Sequence, residues 1–421
     1  MERIKDYVKK FKRNMNGLRL QYSKIQINRR IREKLRNKEK IKVLFVCHRP
    51  AVWESLHSVY DALKQDERFD PMIVAIPNKK ELPGVWLNHE EYETEGAEQF
   101  WKDYDCINGY DYQTKQWVDL KEYKPDYLFF QQPYNVARCA MYHSKVVSRY
   151  AKIAYVAYYS PIVYDEVYVD CTPADFLNDL SFFFTQNDKD HAFIQKRFND
   201  IGSHHCQIIN TGFPRYDNVL RYRGSTCDLW KRTDSYKLIW TPRWTTNEGN
   251  CNFFAYKDLL VEYCRKNADV ELAFRPHPQA FMEWESTGEL TKEDRDEYLQ
   301  NYRGSNMHID DSEDYFPLLF SADCLISDRS TMISDFLCTG KPVIYCMSDR
   351  NGNLDSDFFS VVYTVRSWTE LEQRIWKLRQ GEDPLFDKRT NFVRDFMKIG
   401  QGRASDQIVK VLFDDACSAA R

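Results

Sequence analysis

Three short segments carry polar side chains of the kind that hold a phosphate, each directly behind an apolar run. Thr241-Pro242-Arg243-Trp244 follows Leu238-Ile239-Trp240, and Arg275-Pro276-His277-Pro278 follows Val270–Phe274. Ser327-Asp328-Arg329-Ser330-Thr331 follows Cys324-Leu325-Ile326. Arginine offers a planar fork of donors that fits phosphate oxygens in pairs, and histidine can donate to a phosphate or hold it in place. The third segment reads as a strand, a Ser/Thr turn and a helix, because Met332–Cys338 has apolar residues at helical spacing before Gly340 stops it. Such a turn supplies two hydroxyls and free backbone N–H groups at a positive helix end, which suits an anion. Singly, each segment has a plain alternative: an N-cap serine, a surface ion pair, a turn histidine. Three at successive strand ends point together to a diphosphate.

The elements that must position these residues are short apolar runs alternating with helical stretches. Ile41–Val46, Met72–Ile76, Tyr127–Phe130, Ile153–Val156, Ser181–Thr185 and Gln207–Asn210 predict the strands of a first half. A second alternation begins at Lys237, with strands continuing through Met307–Ile309, Pro342–Tyr345 and Val361–Val365. Helices are expected near Phe253–Lys266 and Trp368–Arg379. The fold class predicted is α/β, two Rossmann-like doubly wound domains facing a cleft, with ligands outside the carboxyl ends of the strands. The boundaries expected are a basic helical extension over 1–40, a first Rossmann-like domain over 41–212 and a second over 213–390. A largely helical segment, 391–421, is expected to pack back on the first domain. No Gly-rich fingerprint follows the first strand, which disfavours NAD or FAD.

With 421 residues, 43% hydrophobic and 15% aromatic, the chain can build sizeable cores. No apolar run approaches the roughly 18 residues of a membrane span. The basic N-terminus has no apolar segment behind it, so no signal peptide is expected. The 12 cysteines form no C-x-x-C pair, which suits free thiols in a reducing cytoplasm better than disulfides or zinc. The net charge of −3 hides an asymmetry: residues 1–40 hold 15 Lys/Arg against 4 Asp/Glu. The remainder is acidic, which argues against nucleic acid as a partner. In the basic segment Ile4, Tyr7, Val8 and Phe11, then Ile25, Ile27, Ile31 and Leu35, recur at helical spacing. A basic amphipathic helix suits an anionic membrane surface, and a solvated or oligomerisation arm is the alternative.

The second half, roughly residues 205–380, resembles the CDP-glycerol glycerophosphotransferases of teichoic-acid and capsule synthesis, which are GT-B enzymes. Gly212-Phe213-Pro214-Arg215-Tyr216-Asp217 looks like the family's Gly-x-Pro-Arg-x-Asp, and Thr241-Pro242-Arg243 is similar to its Pro-Thr-x-Arg. Arg275-Pro276-His277-Pro278 looks like Arg-x-His-Pro, and Ser321 to Thr331 like Ser-Asp-x-Leu-Ile-Thr-Asp-Tyr-Ser-Ser. The resemblance implies that Gly212, Arg215, Arg243, Arg275, Asp328, Ser330 and Thr331 bind the donor and that His277 is catalytic or phosphate-contacting. It implies transfer of a polyol phosphate, glycerol phosphate from CDP-glycerol foremost, to a lipid-linked or glycan hydroxyl at the inner face of the membrane. No cofactor is called for, although Asp328 leaves room for Mg²⁺. The first half departs from the family: the His-Gly-Thr motif that carries the proposed base is replaced by Tyr155-Val156-Ala157-Tyr158-Tyr159-Ser160-Pro161. His48, Tyr159 and Asp165 are the candidates in its place, and the turn Phe129–Tyr134 is lined with aromatics. Two other readings stand beside this one, a nucleotide-sugar glycosyltransferase of the same fold and a non-catalytic scaffold.

Overall fold

Short apolar runs bounded by Asp, Pro and Gly fold here as strands buried on both faces, the pattern of parallel sheets covered by helices. The computed structural model describes residues 2–80, 87, 89–94, 96–158, 172–247, 249, 251–304, 306–312, 314–348 and 356–420. These form two compact units, one from residues up to 158, 172–218 and 400–420, the other from 219–399.

In the first unit, β1 (Ile41–Cys47), β2 (Phe69–Ala75), β3 (Cys106–Asn108), β4 (Tyr127–Phe130), β5 (Lys152–Val156), β6 (Phe182–Thr185) and β7 (Gln207–Asn210) form one parallel sheet. Their order is β7-β6-β5-β4-β1-β2-β3. The winding reverses between β1 and β4, so the carboxyl ends of those two strands form the switch point. β3 was not among the expected strands; it is only three residues long and half exposed.

In the second unit, β8 (Tyr236–Thr241), β9 (Val270–Phe274), β10 (Met307–Ile309), β11 (Cys324–Ser327), β12 (Val343–Cys346) and β13 (Tyr363–Val365) are also parallel. Their order is β10-β9-β8-β11-β12-β13, with the reversal between β8 and β11. Thr241 and Ser327 face each other at the carboxyl ends of that pair. Helix α4 (Phe253–Lys266) covers this sheet with an aromatic stack in which the Phe253 ring centroid lies 4.2 Å from that of Trp284 and 5.6 Å from that of Trp240. Each such ring contributes about 3 kcal/mol by burial, and Phe253→Ala would cost about 3–5 kcal/mol.

Both chain ends belong to the first unit. Helix α1 (Glu2–Arg36) is continuous and buries Ile27 and Ile31. Its cations are held by groups that lie just ahead of strands. Arg30 Nε and Lys34 Nζ pair with Asp126 at 2.9 and 2.6 Å, Arg30 also donates to the carbonyl of Tyr150 at 3.0 Å, and Arg19 pairs with Asp179 at 2.6 Å. The segment expected to be helical over 391–421 divides instead. Residues 386–396 stay with the second unit, and α7 (Ala404–Ala420) belongs to the first. Tyr127 donates to the Leu412 carbonyl at 3.0 Å and to Asp415 at 2.6 Å, and Lys152 is ion-paired with Asp415. Arg32 Nε donates to the Ala419 carbonyl at 2.9 Å, tying α1 to α7. The remaining helices used below are α2 (His57–Gln65), α3 (Asp188–Ile201), α4 (Phe253–Lys266), α5 (Met332–Leu337) and α6 (Trp368–Arg379).

Candidate functional site

The switch point of the second unit is zipped shut by hydroxyls. Thr241 Oγ1 donates to Ser327 Oγ at 2.9 Å, and Ser327 Oγ donates to the Thr241 carbonyl at 2.8 Å. One residue further, the buried carboxylate of Asp328 accepts the backbone N–H of Arg243 on one oxygen and that of Asn252, at 2.8 Å, on the other. The Asn252 amide reaches the Cys346 carbonyl at 3.0 Å. Loop 243–252 is therefore clipped at both ends to the carboxyl edge of the sheet. Burial pushes the Asp328 carboxyl up to about 7, against the pull of those N–H groups. Expected as a donor ligand, Asp328 accepts a backbone N–H on each oxygen and so clamps this loop to the sheet edge.

The clipped loop carries Arg243 and Trp244. The His277 ring stacks on Trp244 with centroids 5.4 Å apart, and the Arg243 guanidinium carbon lies 5.6 Å from the same indole. His277 Nδ1 accepts the Gln279 N–H at 3.2 Å, an assignment that leaves Nε2 to carry the proton of the neutral ring. Its pKa is lowered, first by desolvation and then by the Arg243 charge, so the neutral form, an Nε2–H donor, is favoured.

Arg275 points elsewhere than expected. Its guanidinium is ion-paired with Asp310, donates to the Ser312 carbonyl at 2.9 Å and lies 4.6 Å from the Tyr315 ring. Tyr315 in turn donates to Asp335 on α5 at 2.7 Å. The fork is used to join β9, the loop after β10 and α5. Ser330 Oγ accepts the Met332 N–H at 3.2 Å, whereas Thr331 is exposed and makes no side-chain cap. α5 has six residues, so its dipole is small and the hydroxyls and N–H groups of the turn are the main offer to an anion. Arg243, Arg275, His277, Asp328, Ser330 and Thr331 thus lie along one carboxyl edge of one unit.

Gly212 and Arg215 belong to the first unit. Gly212 has φ +86°, which a side chain would strain, and opens a turn whose Pro214 carbonyl accepts from Ser58 at 2.8 Å. Asp217 of the same turn caps α7 by accepting the N–H groups of Ala404 and Ser405 at 2.6 and 2.8 Å. At the switch point of the first unit, His48 is buried and donates from Nε2 to Gln132 Oε1 at 3.0 Å. Burial lowers its pKa to about 3, so it is neutral. Gln131 accepts the N–H groups of His48 and Arg49 at 2.7 and 3.0 Å. Beneath them the buried Arg138 donates to the Gln132 carbonyl at 2.7 Å and stacks 4.1 Å over Phe130. Tyr134 and Tyr158 share a hydroxyl hydrogen bond of 3.0 Å nearby in the same unit. Tyr159 and Asp165 lie outside the described residues.

Sequence reasoning missed Asp310, Asp335, Gln131, Gln132 and Arg138. Asp310 had a signal, since it ends an apolar run as Asp328 does. Among the described residues no three His, Cys, Asp or Glu side chains converge on a metal position, and no helix is long and apolar enough to cross a membrane.

Residues 174–414, more than half of the sequence, match the protein family described as CDP-Glycerol:Poly(glycerophosphate) glycerophosphotransferase. The chain belongs to that family. It is 24% identical over 259 residues to the teichoic acid ribitol-phosphate polymerase TarK of Staphylococcus aureus, a match covering 57% of this chain and 47% of TarK. It is 24% identical over 165 residues to the minor teichoic acid biosynthesis protein GgaB of Bacillus subtilis, covering 36% of this chain and 17% of GgaB. The chain therefore spans about half or less of the length of these curated relatives. In fold it is similar to the wall teichoic acid polymerase TagF, with a TM-score of 0.55 at 14% identity over 99% of this chain and 98% of that one. It is equally similar to UDP-GlcNAc 2-epimerase of Neisseria meningitidis, with a TM-score of 0.55 at 13% identity over 89% and 100%. Both comparisons agree with a GT-B-like pair of Rossmann-type units.

Proposed function

We propose that this glycerophosphotransferase family member moves a polyol phosphate, glycerol phosphate from CDP-glycerol foremost, onto a hydroxyl of a lipid-linked or glycan acceptor. The acceptor oxygen attacks the phosphorus that bears the polyol, the bond to the bridging oxygen breaks, and CMP leaves with the electron pair. Arg243 supplies the charge that stabilises the phosphoryl oxygens, and the turn at Ser330-Thr331 adds hydroxyls and N–H groups. His277 donates from Nε2 to a phosphate oxygen. Arg275 and Asp328 act one step back, holding the loops that carry these groups. A residue of the first unit takes the hydroxyl proton, with Tyr159, Asp165 and His48 as candidates. The buried, neutral His48 is the weakest proton acceptor of the three, because charging it there is disfavoured. The same reading puts the enzyme in the cytoplasm, on an anionic membrane surface met by the basic segment 1–40.

The observation that supports the reading is that Trp244 packs against both Arg243 and His277 behind β8 and β9, while the Ser330-Thr331 turn follows the adjacent β11 at the same carboxyl edge, in a member of this family. The test is incubation of the chain with CDP-glycerol, CDP-ribitol, UDP-sugars and GDP-sugars, with the freed nucleotide identified. CMP from a CDP-polyol, with phosphorus in the product, is the expected result. UDP or GDP from a sugar donor, with no CMP from any CDP-polyol, overturns it.

A further inference from the structure

Two consecutive glutamines follow β4, and the fold uses them differently. Gln131 is buried and satisfied at both ends of its amide. Its Oε1 accepts the N–H groups of His48 and Arg49, and its Nε2 donates to the Arg49 carbonyl at 3.0 Å. Gln132 is only 6% exposed, yet its Nε2 donates to nothing among the described residues. That nitrogen is not among the sealed atoms that lack a partner, so the little surface Gln132 keeps includes its N–H2 group. Buried amides are nearly always paired, and one with an open end at a switch point calls for a reason.

His48 decides which end of the Gln132 amide is open. Its Nδ1 is buried without a partner, whereas Nε2 lies 3.0 Å from Gln132 Oε1. A buried N–H is left unpaired more rarely than a lone pair, so the ring proton belongs on Nε2 and Gln132 must offer it the oxygen. The N–H2 end is then turned away from His48. The ring is also hemmed in, since a Cβ on Gly96 would stand 2.1 Å from the His48 carbonyl. Behind the same glutamine, the buried Arg138 donates only to neutral oxygens: the Gln132 carbonyl at 2.7 Å, Asn135 Oδ1 at 3.0 Å and the Tyr142 carbonyl at 3.3 Å. Burial lowers its pKa to about 9, which leaves it charged at neutral pH. A cation without a carboxylate gives this switch point a positive potential, and an outward N–H in such a field suits an oxygen lone pair.

We infer that Gln132 binds the acceptor, donating its side-chain N–H to an oxygen of that substrate, and that His48 is a positioning residue which keeps the N–H2 end outward. This rests on the transfer reading above and deepens it. It names a group that holds the acceptor, and it removes His48 from the candidates for the base. A polyol hydroxyl and a phosphoryl oxygen present the same lone pair to this donor, and the probes below tell them apart.

The test uses the full chain, CDP-glycerol and two alkyl-linked acceptor probes, one a glycerol phosphate oligomer and the other a neutral disaccharide. Gln132→Met keeps the bulk and removes the N–H2 group. Gln132→Glu keeps the oxygen that His48 needs and puts a second oxygen where the N–H2 was. Both variants, with folding checked by the thermal midpoint, should raise KM for the probe about tenfold while KM for CDP-glycerol stays within about twofold. His48→Gln, which retains an N–H donor, should keep most of the affinity for the probe, and His48→Leu, which frees the amide to turn, should lose about fivefold. Equilibrium dialysis of labelled probe without donor should give the same ranking as Kd. A larger loss with the phosphate-bearing probe assigns the bound oxygen to a phosphoryl group, and equal losses assign it to a hydroxyl. Gln132 variants that bind both probes as the wild type does overturn the site, and so does an equal rise in KM for donor and acceptor. A His48→Gln variant as impaired as His48→Leu overturns the positioning role alone. A wild-type chain that binds neither probe overturns the site. One that binds a probe through Gln132 but frees no CMP from any CDP-polyol overturns the transfer reading and leaves the site standing.

Discussion

Replacing Asp328 with asparagine keeps the outline of the side chain but removes one of its two N–H acceptors. The amide oxygen can take the N–H of Arg243 or that of Asn252, and the amide nitrogen then faces the other donor. One buried N–H left unmet costs about 1–3 kcal/mol, and Asp328→Ala, which abandons both, costs about 2–6 kcal/mol. The carboxyl also ties stability to pH. Its pKa is raised from 3.8 to about 7 in the folded chain, so its contribution is fully present below pH 4 and is lost as pH rises through about 7. The swing is about 4 kcal/mol. Urea unfolding followed by tryptophan fluorescence at pH 5.5, 6.5, 7.5 and 8.5 reads both effects. Asp328→Asn should start lower at pH 5.5 and then hold its midpoint where the wild type declines. Loosening loop 243–252 should also raise KM for the CDP-polyol about tenfold while kcat falls less, a factor of ten corresponding to 1.4 kcal/mol of lost positioning. A variant that keeps the wild-type pH slope and the wild-type KM would refute the clamp.

Arg243→Ala should lower the rate of CMP release about 100-fold or more, and Arg243→Lys should recover part of it, as a loss of charge stabilisation predicts. His277→Gln, which keeps an N–H donor, should retain more activity than His277→Ala, and the wild-type rate should show no step from His277 between pH 7 and 8, since its lowered pKa keeps it neutral there. Asp217→Ala should cost about 1 kcal/mol through the lost cap of α7, read as a drop in the thermal midpoint. Asp126→Ala strands the partly buried Arg30 and Lys34 and should cost about 3–5 kcal/mol, with α1 becoming sensitive to trypsin at concentrations that spare the wild type.

Strands were the most legible part of the sequence. Ile41–Val46, Val270–Phe274 and Cys324–Ile326 are apolar runs that sit, within a residue or two, on β1, β9 and β11, and α4 and α6 run over the residues their periodicity predicted. Short buried strands announce themselves because both faces must be apolar. The half-exposed β3 gave no such signal. That Arg243, His277 and the Ser330 turn follow strands of one sheet was readable because each stands at the end of an apolar run. What each side chain bonds to was not. Asp328 is 85 residues from Arg243 and Asp217 is 187 from Ala404, and local periodicity carries no information about such pairs. Arg275 offered the same donors to a phosphate as to Asp310, and only the path of the chain after β10 decides between them. His48 likewise reads as an edge residue in sequence, yet Gln132 and the loop backbone enclose it.

The division of the chain has a bearing on its synthesis. Residues 219–399 are one uninterrupted stretch, so that unit has its whole sheet available once the ribosome has passed its last residue. The amino-terminal unit has no such freedom, because α7, which binds Asp217, Tyr127, Lys152 and Arg32, is translated after the whole of the second unit. That unit is therefore completed only after the second has been made, and a nonsense codon or a bulky tag near residue 404 should injure the sheet whose strands are synthesised first.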